Sequence, residues 1–136
     1  MKSDEFTELS KSITKSLDNQ IKKKDGIFFT PQTIIHATLE RIKQESPNIK
    51  TILEPSCGSG EFFNAFDTNY QNAQITGIEL NQSIFDKIKD TQLENNQLTL
   101  INQDYLKWNA PNKYDLIIGN PPYFVMKKSD VDEIFH

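Results

Sequence analysis

A single cysteine, Cys57, excludes an intrachain disulfide and makes a thiolate metal cluster implausible. No apolar run approaches the roughly 20 residues that a membrane-spanning helix needs. The opening Met1-Lys2-Ser3-Asp4-Glu5 is charged and leads into no apolar segment of a secretion signal, so the expectation is a soluble, intracellular, cytoplasmic protein with no membrane partner. Excess positive charge is also missing: the net charge is −4, unfavourable for a protein whose whole surface grips phosphates, so any nucleic-acid contact must be local or made by further sequence. The one dense basic run, Lys22-Lys23-Lys24, reads as the last turn of a helix, where the dipole favours cations. The hydrophobic share is low at 36%, yet 136 residues are enough for one domain with a core.

What is present falls into two rhythms. Phe6, Leu9, Ile13, Leu17 and Ile21 recur at helical steps up to Gly26, and Ile27-Phe28-Phe29 is a short extended stretch. Thr30 is expected to cap a second helix with Pro31 at its first position and with Ile34, Ile35, Leu39 and Ile42 as its buried stripe, ending at Pro47-Asn48. Residues 1–48 thus form an N-terminal helical segment. From residue 49 to 136 short apolar runs alternate with helical patterns: Thr51–Leu53, Ile75–Ile78, Leu98–Ile101 and Leu116–Ile118 as strands, with helices around Phe62–Phe66 and Ile84–Ile88. Such alternation predicts an α/β fold with a parallel sheet.

The expected strands run into polar residues: Glu54, Glu79, Asp104 and Asn120. Open α/β sheets bind ligands beyond the carboxyl ends of their strands, so these four side chains are expected on one rim. Gly58 and Gly60, in Glu54-Pro55-Ser56-Cys57-Gly58-Ser59-Gly60, permit a tight turn and close approach of a ligand to the backbone. The P-loop lysine is absent and position 63 is Phe, which favours a nucleoside over a phosphate; a loop that only turns a corner is the plain alternative. Glu79 can accept the two hydroxyls of a ribose, or stand as a solvated strand end. Asp104 can accept from the amine of an adenine, or serve a turn. Ile117-Ile118-Gly119-Asn120-Pro121-Pro122-Tyr123 ends a strand in an amide, two stiff prolines and a ring, a group suited to holding a planar amine. His36 reads as a packing residue on its helix, and Cys57 as a semi-buried loop residue without an activating partner.

Taken together, Phe29-Thr30-Pro31, Glu54 through Phe62, Gly77-Ile78-Glu79-Leu80, Asn102-Gln103-Asp104-Tyr105-Leu106 and Asn120-Pro121-Pro122-Tyr123 resemble the N6-adenine-specific DNA methyltransferases in their gamma arrangement, in order and spacing, from about residue 20 to residue 125. The resemblance implies a Rossmann-like sheet of the S-adenosylmethionine-dependent type with strand order 3-2-1-4, leaving Leu116–Ile118 at an edge. It implies S-adenosyl-L-methionine as cofactor. Its binding residues would be Phe29, Thr30, Pro31, Glu54, Pro55, Cys57, Gly58, Gly60, Leu80 and Tyr105, with Glu79 at its ribose and Asp104 at its adenine amine. Asn120, Pro121, Pro122 and Tyr123 would hold the flipped target adenine of double-stranded DNA, with no metal. The family's sheet continues past Asn-Pro-Pro-Tyr, so the chain is expected to be an N-terminal part that needs a complementing C-terminal segment or specificity subunit. Ser129–Glu133 reads as the start of a further helix. Two other readings share the Asn-Pro-Pro-Tyr motif: a protein-glutamine N5 methyltransferase and a non-catalytic methyltransferase remnant, with RNA guanine N2 methylation a more distant third.

Overall fold

The computed structural model describes Lys11 and residues 30–121. The Phe6–Ile21 periodicity, Lys22–Lys24, Phe29, Pro122, Tyr123 and Ser129–Glu133 lie outside the described residues. Four parallel strands, β1 (Thr51–Glu54), β2 (Gln74–Glu79), β3 (Gln97–Asn102) and β4 (Leu116–Ile117), form one sheet in the order β3-β2-β1-β4. That is the expected order 3-2-1-4. Ile52, Leu53, Ile75 and Ile78 are all essentially inaccessible, as expected of central strands covered on both faces. Among the described residues β4 is paired on one side, to β1, and Ile117 is 57% exposed.

Helix α1 (Gln32–Glu45) buries Ile35 and Leu39 in the same core as Ile52, Phe63, Phe66 and Ile75. Two details differ from the sequence expectation. Pro31, not Thr30, occupies the N-cap; its carbonyl accepts from the amides of Ile34 and Ile35 at 3.1 and 3.2 Å, and no side chain caps the helix. Proline suits this because its fixed φ is compatible with the cap and its missing N–H is not needed there. Ile34 is 56% exposed, since the stripe facing the sheet runs through residues 35, 39 and 42. Helix α2 (Phe63–Asn69) packs Phe63, Ala65 and Phe66 inward, and α3 (Gln82–Ile88) packs Ile84 and Ile88. Asn81 caps α3 by accepting from the Ile84 amide.

Side-chain clasps tie the edge of the sheet where the strands begin. Asp115 accepts from the amides of Lys50 and Thr51 at 2.8 and 3.1 Å, joining the starts of β1 and β4. The buried Asn96 accepts from Ala73 N and donates to Tyr70 O, joining α2, β2 and β3. The opposite rim carries the candidate site. Among the described residues no helix is long and apolar enough to cross a membrane.

Candidate active site

The loop from β1 to α2 folds back over the rim. Cys57 N donates to Ile78 O at 2.9 Å, and Gly60 N to Cys57 O at 2.9 Å. Gly58 and Gly60 have φ of +55° and +80°, the left-handed region that glycine enters without a Cβ penalty. They are not equivalent. A Cβ at Gly60 would sit 2.4 Å from the Phe63 ring, whereas a Cβ at Gly58 would meet nothing within 4 Å. Gly60 therefore serves packing, and Gly58 leaves open backbone facing the rim.

Three carboxylates surround this loop. Glu79, at the end of β2, accepts from Gly58 N at 2.7 Å through one oxygen and from Asn81 N at 3.0 Å through the other. Glu61 accepts from the Ser59 hydroxyl at 2.8 Å and from the Gln32 amide at 3.0 Å. Gln32 also donates to the Glu61 carbonyl at 2.8 Å, which fastens the start of α1, next to Thr30 and Pro31, onto the loop. Glu54, at the end of β1, is 1% exposed, and its Oε2 has no hydrogen-bond partner. Burial, with Glu79 and Glu61 nearby, pushes its carboxyl well above the usual carboxylate range. Cys57 is fully buried rather than half-buried, against Gly77, and burial together with Glu54 and Glu79 pushes its thiol up, so it is no nucleophile.

The other strand ends arrive beside this loop. Asn102 ends β3, and its side chain donates to the Glu79 and Leu80 carbonyls at 2.8 and 3.2 Å. Asp104 is thus two residues past the strand rather than at its end. Its side chain accepts from Leu106 N at 3.0 Å and caps a 3-10 turn over Tyr105–Lys107. Tyr105 and Leu80 are exposed at 38% and 68%. β4 ends at Ile117, with Ile118 N still donating to Leu53 O at 3.0 Å, so Asn120 lies just beyond the strand. Gly119 crosses directly above Glu54: a Cβ there would lie 3.3 Å from Glu54 Cγ and 3.7 Å from Pro55 Cδ. Asn120 is half-buried and Pro121 exposed. A groove of about 420 Å³ runs between Thr30, Pro31, Ile35, Phe62, Gly119 and Asn120.

The structure therefore gathers the Thr30 segment, the glycine loop and the Asn120 turn at one end of the sheet. Sequence reasoning gave no role to Glu61 or Gln32; the only hint was a carboxylate closing the glycine loop and an amide directly after Thr30-Pro31. Among the described residues no group of three or more His, Cys, Asp and Glu is arranged to hold a metal ion. A nucleoside cofactor fits what is there: open backbone at Gly58, carboxylates for hydroxyls and cations, and one buried carboxyl oxygen without a partner.

Comparison with known proteins agrees with this layout. The chain is 34% identical over 119 residues to the type II methyltransferase M.CvrRI of Paramecium bursaria Chlorella virus XZ-6E, an alignment covering 88% of this chain and 30% of that protein. It is 35% identical over 128 residues to the modification methylase CviBIII of Paramecium bursaria Chlorella virus NC1A, covering 92% of this chain and 33% of the relative. The chain thus spans about a third of the length of these relatives. Among solved structures, the plantazolicin methyltransferase BpumL in complex with SAH superposes with a TM-score of 0.56 at 16% identity, over 80% of this chain and 40% of that one, a likeness of fold. The sequence model of the N-6 DNA methylases matches residues 1–135, and the chain belongs to that family.

Proposed function

We propose that this chain binds S-adenosyl-L-methionine and takes part in methylating N6 of an adenine flipped out of double-stranded DNA. The observation that carries the reading is the seating of the Gly119–Asn120 turn directly over Glu54, which puts the glycine loop and the amide–proline turn side by side. Bound S-adenosyl-L-methionine supplies an electrophilic sulfonium methyl. Gly58, Gly60, Pro55 and Cys57 shape the loop around it, Glu54 and the Phe29-Thr30-Pro31 segment flank its methionine part, Glu79 and Leu80 hold its ribose, and Asp104 with Tyr105 its adenine. Asn120 and the Pro121 carbonyl accept the two amine hydrogens of the target base, while Pro122 stiffens the turn and Tyr123 stacks on the ring. N6 is a poor nucleophile because its lone pair is delocalised; holding both hydrogens favours a pyramidal nitrogen whose lone pair faces the methyl. Positioning and electrostatics carry the step. Extruding the base costs a few kcal/mol.

In this reading residues 1–48 are the N-terminal segment that closes the donor site, and residues 49–136 the catalytic part. The open edge of β4 accepts further strands, from a complementing segment or subunit, and the protein works in the cytoplasm on a restriction-modification substrate. The test is methyl transfer, by the chain supplied with its complementing C-terminal segment, from labelled donor to adenine-containing duplex DNA and, separately, to a release factor. Label recovered as N6-methyladenine is expected, and Asn120→Ala should abolish transfer while leaving donor binding nearly intact. Label on a protein glutamine, or equal loss of binding and transfer in Asn120→Ala, contradicts the assignment.

A further inference from the structure

Resting on the donor-site reading above, we propose that Glu54 carries a proton in the free chain and releases it to solvent when the cationic donor binds, so that donor binding and proton release are one linked event. The ground is an asymmetry among the carboxylates at the loop. Both oxygens of Glu79 accept backbone amides, and those of Glu61 accept a hydroxyl and a side-chain amide. Glu54 is the most buried of the three, and its Oε2 receives nothing. An ionised carboxylate left without a donor in an apolar setting is costly, and such a group neutralises instead.

The neighbours of Glu54 reinforce this. Glu79 faces it from β2, and Glu61 and Cys57 from the loop; Gly119, crossing from β4, and Pro55 bring no charge. No lysine, arginine or histidine is buried among the described residues. S-adenosyl-L-methionine carries a sulfonium and an ammonium against one carboxylate. An opposite charge within about 4–6 Å favours the ionised form of a carboxyl. Binding therefore converts the neutral acid to carboxylate, and one proton leaves to the buffer. The unpartnered Oε2 is the atom that gains a partner. Because the carboxyl lies under Gly119, the new charge sits at the junction between the donor loop and the Asn120 turn.

The sign follows from linkage. The folded free chain holds the proton to higher pH than the unfolded chain, where glutamate titrates near roughly 4.3. Glu54's contribution to stability is present in full below that value and is lost as pH rises through its raised folded value. In the same window the donor binds more tightly with rising pH, by up to about tenfold per pH unit.

Calorimetric titration of the 136-residue chain with S-adenosyl-L-methionine, at one pH within this window in two buffers of different ionisation enthalpy, counts the proton. The expected result is release of about one proton per donor bound. In Glu54→Gln, which stays neutral, the release and the pH dependence of affinity should both vanish. Binding whose heat is independent of buffer, or release unchanged in Glu54→Gln, overturns the linkage while leaving the donor site standing. No binding at any pH removes the donor-site reading and the linkage with it. A site-resolved carbon NMR titration of the free wild-type chain needs no variant and no donor: a Glu54 carboxyl that ionises in the ordinary glutamate range overturns the proposal.

Discussion

Gln32 and Glu61, 29 positions apart, are joined twice: the Gln32 amide donates to the Glu61 carbonyl at 2.8 Å and to its carboxylate at 3.0 Å. The pair is a direct hydrogen-bonded tie between the start of α1 and the glycine loop. Gln32→Ala removes both of these bonds, and at the usual net contribution of a hydrogen bond the loss is about 1–3 kcal/mol in total. Urea unfolding should register that drop. Hydrogen exchange should show faster exchange at residues 34–36, and donor affinity should fall severalfold. Unchanged exchange there would mean that packing of Ile35 alone positions the segment.

The two loop glycines separate stability from binding. Gly60→Ala drives a methyl into the Phe63 ring and forces alanine to φ +80°, so a loss well beyond the about 1–2 kcal/mol of a left-handed residue is expected. Gly58→Ala has room for its methyl and should lose only about that backbone cost, but it narrows the open backbone facing the rim. Thermal melting and donor titration of both variants check this: melting should rank Gly60→Ala as the worse, and Gly58→Ala should lose more affinity than its stability change explains.

Much of this layout was legible in the sequence. Apolar runs of strand length alternating with helical patterns fix a parallel sheet, and the order β3-β2-β1-β4 followed from the family resemblance. Adjacent isoleucines at 34 and 35 leave the stripe of α1 ambiguous by one residue in the sequence, and Leu39 with Ile42 selects 35, which turns Ile34 outward. Thr30-Pro31 looked like a cap followed by a first helical residue; the extended ψ of 140° at Pro31 makes the proline itself the cap. The Gln32–Glu61 clasp and the position of Gly119 over Glu54 depend on which loops meet across the sheet, and no local pattern encodes that.

Cys57 supplies a chemical check on the loop. Its sulfur lies against Gly77, where a Cβ would be 3.1 Å away, and burial with Glu54 and Glu79 beside it holds the proton on the thiol. A thiol-specific reagent should therefore modify the native chain only as fast as the loop opens, and at the ordinary rate in urea. Rapid modification under native conditions would show that the loop does not stay packed on β2.

Acid sensitivity should be read most directly at Asp115. The amides of Lys50 first, then Thr51, hold its carboxyl below the ordinary aspartate range, although the side chain lies in solvent. A lowered folded value means that the stabilisation is present above the unfolded pKa of roughly 3.9 and disappears as pH falls through the folded one. Urea midpoints of the wild type should decline across that interval. Asp115→Ala removes the acceptor at every pH, so its midpoint should be lower near neutrality and its decline in acid shallower. Because Asp115 ties the start of β4 to β1, the variant should also loosen the strand that leads to Asn120, seen as faster exchange of the Ile118 amide. A variant with an unaltered acid profile would assign the acid response to other carboxylates and leave Asp115 a surface contact without consequence.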